Sequence, residues 1–158
     1  MLSRLLFSAA LLAASASAAQ AVCIYHGQLY VRTTLDQEFR DARWVVRARV
    51  VSGLSFWSDE SESWTRYRLE VVHSYKGTIP RRFDFFTERN SGGFYLDAEG
   101  STPDIGGEYL LFLVSLPHRA GPPEARRALW VNYNCGQSRS WREVTSAQRR
   151  RLQLLSRQ

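Results

Sequence analysis

This chain is poor in the residue types that build metal and nucleophile sites. Of cysteine and histidine its 158 residues hold only two and three, Cys23 and Cys135, and His26, His73 and His118. No histidine lies within four residues of another, so a local metal pair is excluded. No G-x-S-x-G elbow marks a nucleophile, and no two carboxylates stand out as a glycosidase couple. A Ser-His-Asp set assembled from distant positions stays open. The loop acids Asp59, Glu60 and Glu62, and Asp97 with Glu99, lack the alternate spacing and turn glycine of a calcium loop. Lysine is nearly absent: Lys76 stands alone beside 20 arginines, the bias of a GC-rich coding sequence. The shortages predict no enzyme, no cofactor and no bound metal. Internal repeats are missing, and so is the run of about 20 apolar residues that a membrane helix needs.

What is present begins with a leader. Arg4, the short apolar run from Leu5 to Ala14 and the small-x-small triplet Ala19-Gln20-Ala21 predict a signal peptide over 1–21, cleaved after Ala21. Gln20-Ala21-Val22 lacks the aliphatic residue of a lipidation site before Cys23. The expected product is exported, periplasmic or secreted. It runs over 22–158, which is 158 less 21, or 137 residues, enough for one domain with a core. Its charge is 20 basic against 15 acidic residues, or +5. The segment 141–158 alone holds five arginines and one glutamate, or +4. In an exported protein an even pair of cysteines reads as a disulfide, here Cys23 to Cys135, closing nearly the whole domain. Two ligands of a metal site is the other reading, and no neighbours at short spacing complete such a set.

Periodicity supplies the elements. Thr34 caps a short helix over 35–42, with Asp36 and Glu38 in its first turn and Leu35, Phe39 and Ala42 on one face. A strand over 44–51 buries Trp44, Val46, Ala48 and Val50 and turns Arg47 and Arg49 outward, ending at Ser52-Gly53. The clearest strand lies in the stretch 64–77 and alternates cleanly over 66–71: Tyr67, Leu69 and Val71 point one way, Arg66, Arg68 and Glu70 the other, and Lys76-Gly77 ends it. Strict alternation puts His73 on the apolar face as a core or barrel-end histidine; a bulge at Val71-Val72 is the alternative that re-aims it outward. A third strand spans 82–88, with Phe83, Phe85 and Thr87 opposite Asp84 and Phe86. A long loop over 90–106 is functional or mobile. The near-continuous apolar stretch 107–114 suits a strand covered on both sides. Residues 129–135 alternate, with Leu129, Val131, Tyr133 and Cys135 on one face. Thr145 opens a capping box with Gln148, followed by Leu152 and Leu155 as helix contacts. The expected fold is mainly β: a five-stranded OB-fold barrel with a short N-terminal helix and a C-terminal helix over about 145–157.

Two motifs carry a resemblance. Val71-Val72-His73-Ser74-Tyr75-Lys76-Gly77 resembles the V-x-x-x-aromatic-K-G end of the second strand in bacterial proteins similar to tissue inhibitors of metalloproteinases. Gly106-Gly107-Glu108-Tyr109-Leu110-Leu111-Phe112 resembles that family's G-x-x-Y-L-hydrophobic-F strand. The resemblance covers Cys23 to about Leu155 and implies a netrin-like OB barrel stapled by a disulfide. It also implies an inhibitory edge at Val22, Cys23 and Ile24, where a free amine would meet a protease zinc. The animal inhibitors begin with a Cys-x-Cys pair; here Cys23 is second and Tyr25 stands where the other cysteine belongs.

The expected function is a non-enzymatic exported binding module with a protein partner, a metalloprotease among the candidates. Surface candidates are Trp57 and Trp64 with Arg66 and Arg68, which could form an OB binding face. Arg149, Arg150 and Arg151 could instead meet an anionic envelope surface, in a third reading as an envelope-associated structural protein. Export argues against nucleic acid. Trp130 and Trp141 read as covers of the barrel ends.

Overall fold

The computed structural model describes residues 24–25, 28–29, 33–57, 63–89, 93–116 and 122–158. The expected signal peptide, Val22, Cys23, His26 and His118 lie outside them. In chain order the elements are β1 (Ile24–Tyr25), β2 (Gln28–Leu29), α1 (Leu35–Asp41), β3 (Trp44–Phe56), β4 (Trp64–Lys76), β5 (Arg82–Glu88), β6 (Glu108–Ser115), β7 (Leu129–Val131), β8 (Arg139–Ser140) and α2 (Ser146–Leu155). Strands β3, β4, β5, β7 and β6 neighbour one another in that order, and β6 returns to β3. The ring is therefore closed, and it is antiparallel except for β5 against β7. This is an OB-fold-like barrel with a short helix at each end of the domain.

Alternation sorts the apolar side chains into layers. Val46, Ala48, Val50, Tyr67, Leu69, Phe83, Phe85, Tyr109, Leu111, Leu113 and Val131 form the barrel core. Val45, Leu110 and Phe112 point the other way, under Phe39 of α1 and Leu152 and Leu155 of α2. That second layer explains the unbroken apolar run of β6: both its faces are covered. Phe86 is buried outside the barrel against Ala125 and Ala128, with Trp64 packed on it. Both helices start with capping boxes: the one expected at Thr145, and one at Thr34, where only a simple cap is expected.

Three local expectations need correction. Strand β3 does not end at Ser52-Gly53 but continues to Phe56. Gly53 is tolerated within it because Pro103 packs against the bare backbone, 2.5 Å from where a Cβ would sit. Strand β7 stops at Val131 and does not reach Cys135. The backbone turns there, Gly136 N–H donating to Tyr133 at 3.0 Å, so Cys135 is half-buried in a turn and not on a core face. His73 is exposed: the β3 register steps from Arg47 opposite His73 to Ala48 opposite Val71, leaving Val72 as the extra residue of a bulge. The loop before β6, expected to be functional or mobile, is held over its described part by contacts to the barrel. Leu96 is fully buried, Asp97 bridges to Pro103, and Asp104 accepts from the Tyr109 hydroxyl at 2.9 Å.

Candidate functional site

Among the described residues a concave site lies at one end of the barrel, where the end of β3 meets the loop before β6. A cleft of about 600 Å³ opens there, lined by Trp57, Arg89, Tyr95, Asp97, Ala98, Gly100 and Ser101. Arg89 follows β5 directly, so the strand's direction carries its side chain to the rim. Its guanidinium lies 5.2 Å from the Trp57 ring centroid and 4.6 Å from that of Tyr95. It pairs with the Asp97 carboxylate, and its Nε donates to Thr65 Oγ1 at 2.7 Å. The Tyr67 hydroxyl rises from the barrel core to complete the cluster. It donates to Asp97 Oδ1 at 2.6 Å and accepts from Arg89 Nη2 at 3.2 Å and from the Leu96 amide at 3.3 Å. Burial and the bond to Asp97 push the Tyr67 pKa well above the usual phenol value. Arg89 and Asp97 are thus committed to each other and to fixing the loop. The groups they leave facing outward are aromatic and backbone.

Beside the cleft the end of β3 is apolar and bare. Leu54 is 52% exposed, Phe56 48% and Trp57 59%. Phe56 stacks on Trp64 with centroids 5.6 Å apart, and Trp64 leans on Phe86 at 6.2 Å. Trp64 is therefore half-buried, presenting one edge to the same surface. Pairing across the strands sets Arg66 opposite Leu54 and Phe86, and Arg68 opposite Ser52 and Asp84. Arg68 pairs with Asp84 at 2.7 Å. The structure thus brings together Trp57 and Trp64 with Arg66 nearby.

The arginine run of α2 is not brought together. Successive helix residues point about 100° apart. Arg149 turns back to donate to the carbonyls of Val144 at 3.1 Å and Trp141 at 3.2 Å, and lies over the Trp141 ring. Arg151 reaches across to Asp36 of α1, with Nε at 2.9 Å, and this bond holds the Asp36 carboxyl below its ordinary pKa. Arg150 is exposed. At the proposed inhibitory edge, Ile24 opens β1; Val22 and Cys23 lie outside the described residues. Cys135 is not a free cysteine. Lys76 caps a helix: its Nζ donates to the carbonyls of Phe39, Arg40 and Ala42 at 2.6, 2.8 and 2.7 Å, at the C-terminal end of α1.

Arg89, Tyr95 and Glu38 escaped sequence reasoning. Glu38 looked like a first-turn acid complementing the helix dipole, yet it is fully buried. It accepts from Thr33 Oγ1 at 3.0 Å and from the Gln137 amide at 2.6 Å. It also presses against Gly136, where any Cβ would collide with the carboxylate. Desolvation pushes its pKa up to about 7, against the pull of those two donors and of Arg139. The available signal for Arg89 and Asp97 was Tyr67 itself, a hydroxyl on a core-facing position that had to find partners.

Among the described residues no group of three or more His, Cys, Asp or Glu side chains could hold a metal ion. Compared with known proteins, the chain matches no family model, and no curated protein matches it significantly in sequence.

Proposed function

We propose that the protein is an exported, non-enzymatic module that binds a protein partner through the barrel rim around Trp57, on a TIMP-like, netrin-like barrel. The observation that carries this reading is the bare apolar edge Leu54-Phe56-Trp57 beside an aromatic cleft. Exposed aromatic clusters of this kind anchor protein contacts. The family resemblance rests on the two strand motifs, the closed five-stranded ring and the helix that Lys76 caps. Export rests on the leader pattern and on Cys135 not being a free cysteine, for which Cys23 is the natural partner.

A photo-cross-linking residue at position 57, with a control at Gln153 on the exposed face of α2, tests the rim in the exporting cell. A discrete adduct from position 57 and none from 153 is expected. Equal labelling at both, or none at 57, would sink rim binding.

The second reading, metalloprotease inhibition by the edge at Val22, Cys23 and Ile24, is favoured by the resemblance alone. N-terminal sequencing of the mature protein decides it: a start other than Val22 or Cys23 removes direct chelation by this edge. Acetylating the amine should abolish inhibition and leave rim binding intact. Association with an anionic envelope surface through Arg149, Arg150 and Arg151 has weaker support, because two of the three guanidiniums hold α2 in place.

A further inference from the structure

Strand β3 outruns one of its two neighbours. On one side β4 pairs with it as far as Phe56, and over 52–56 the register is regular, from Ser52 opposite Arg68 to Phe56 opposite Trp64. On the other side the β6 ladder stops at Arg49 opposite Glu108. Val50 makes the last backbone bonds there, accepting from Gly106 at 2.8 Å and donating to Gly107 at 2.9 Å. Among the described residues no backbone group bonds to that edge from Val51 to Phe56. In an antiparallel pair every second residue turns its N–H and C=O away from the partner strand, so this edge carries a row of unpaired donors and acceptors. Pro103 does not cover them: it stands beside Tyr67 where a Gly53 Cβ would point, on the barrel side of the strand. Ser52, Gly53, Leu54 and Phe56 are exposed. Natural edges are guarded by charge or proline. Val51-Ser52-Gly53-Leu54-Ser55-Phe56 holds neither, and its bulge lies at Val51, before the regular stretch.

We propose that this edge takes an extended polypeptide segment of the partner as an added strand, one with an apolar or aromatic side chain at every second position. This deepens the rim-binding reading and rests on it. The physical reason is backbone complementarity: donors and acceptors at strand spacing are met in register by another extended backbone, and a glycan or a lipid surface has no such repeat. Side chains supply the second half of the match. Leu54 and Phe56 are two residues apart and share the outward face of β3, opposite Arg66 and Trp64 of β4. Apolar residues of the incoming strand on that face would lie directly beside them, as cross-strand pairs do. Phe56 is already held against Trp64, so this apolar floor is formed before the partner arrives. Trp57 follows the last residue of β3 and lines the cleft, which places one end of the added strand at the cleft mouth.

The test is a selection from random displayed peptides on the full mature protein, with counter-selection on Trp57→Ala. Trp57 is exposed, so that variant should keep the wild-type circular dichroism and unfolding curve. A peptide that needs Trp57 is then made with one backbone N-methyl group at a time. Strand addition predicts alternation: methylation at every second position should weaken binding about tenfold, and the positions between should tolerate it. The bound peptide should also slow hydrogen exchange at alternate amides among residues 52–56. Trp57-dependent peptides with no alternation and unchanged exchange would overturn strand addition while leaving rim binding standing. Peptides that bind wild type and Trp57→Ala alike, or no binding peptide at all, would overturn both. Slow exchange over 52–56 in the protein alone, with a dimer in sedimentation, would give the edge to a second copy and overturn the partner strand.

Discussion

Glu38 and Lys76 show how single side chains hold the ends of this domain together. Glu38 is a carboxylate with no solvent, tied to a turn 99 residues away by the Gln137 amide. Its folded-state pKa of about 7 lies above the ordinary 4.5, so the folded protein favours the protonated form. The stability this contributes is fully present below about pH 4.5 and is lost as pH rises through about 7. A shift of that size corresponds to about 3 kcal/mol. Glu38→Gln should flatten this part of the profile: wild type loses melting temperature relative to the variant between pH 5 and 8, and parallel curves would refute the assignment. Arg139 and Asp41 act on the same carboxylate with opposite sign, so neutralising Arg139 should raise its pKa further. Lys76 is equally specific. Three carbonyls accept from one ammonium, and Lys76→Met leaves all three without it. The expected cost is about 1.5–3 kcal/mol in urea unfolding, without change to the barrel.

At the scale of elements, the loop before β6 behaves as a stopper on the barrel end. Leu96 fills the core, Pro103 covers Gly53, and the Tyr67–Asp97–Arg89 and Tyr109–Asp104 contacts fix it on both sides. Removing one partner of a buried pair leaves the other uncompensated, so Arg89→Met should cost on the order of 3 kcal/mol. It should also speed hydrogen exchange at the Leu96 amide, which donates to Tyr67; unchanged protection there would mean the loop is held otherwise. Helix α2 is fixed differently. Arg149 braces Trp141 and the turn before the helix, whereas Arg151 makes an exposed pair with Asp36. Thermal melts should therefore rank Arg149→Ala as more destabilising than Arg151→Ala. The reverse order would show the interhelical pair to be the stronger brace.

At the scale of the molecule, two long-range features dominate. One is the proposed Cys23–Cys135 link, which closes a loop of about 100 residues and by chain entropy stabilises by roughly 4–5 kcal/mol. Denatured, unreduced protein should show no titratable thiol, and reduction should lower the melting temperature; two thiols would refute the link. The other is the gathering of exposed apolar side chains, Leu54, Phe56 and Trp57, at one barrel end beside the buried Arg89–Asp97 pair. The barrel itself creates that cluster, because it brings the end of β3 and the loop before β6 to the same end.

Local physics decided much from the sequence alone. The alternation of Tyr67 and Leu69 against Arg66 and Arg68, the bounds of β5 and the caps at Thr34 and Thr145 follow from side-chain periodicity and hydrogen-bonding chemistry that neighbours cannot alter. Fold class followed because five such strands with one long connection have few ways to bury their faces. The tertiary structure decided the rest, wherever distant backbone supplied the reason. Pro103 let β3 run past Gly53, a bulge turned His73 outward, and a carboxylate from α1 claimed Gly136 and the turn holding Cys135. The site falls in the same class: Trp57, Arg89, Tyr95 and Asp97 span 41 residues of chain and become a cleft only when the barrel closes. Periodicity reports which way a residue faces, and only closure determines what it faces.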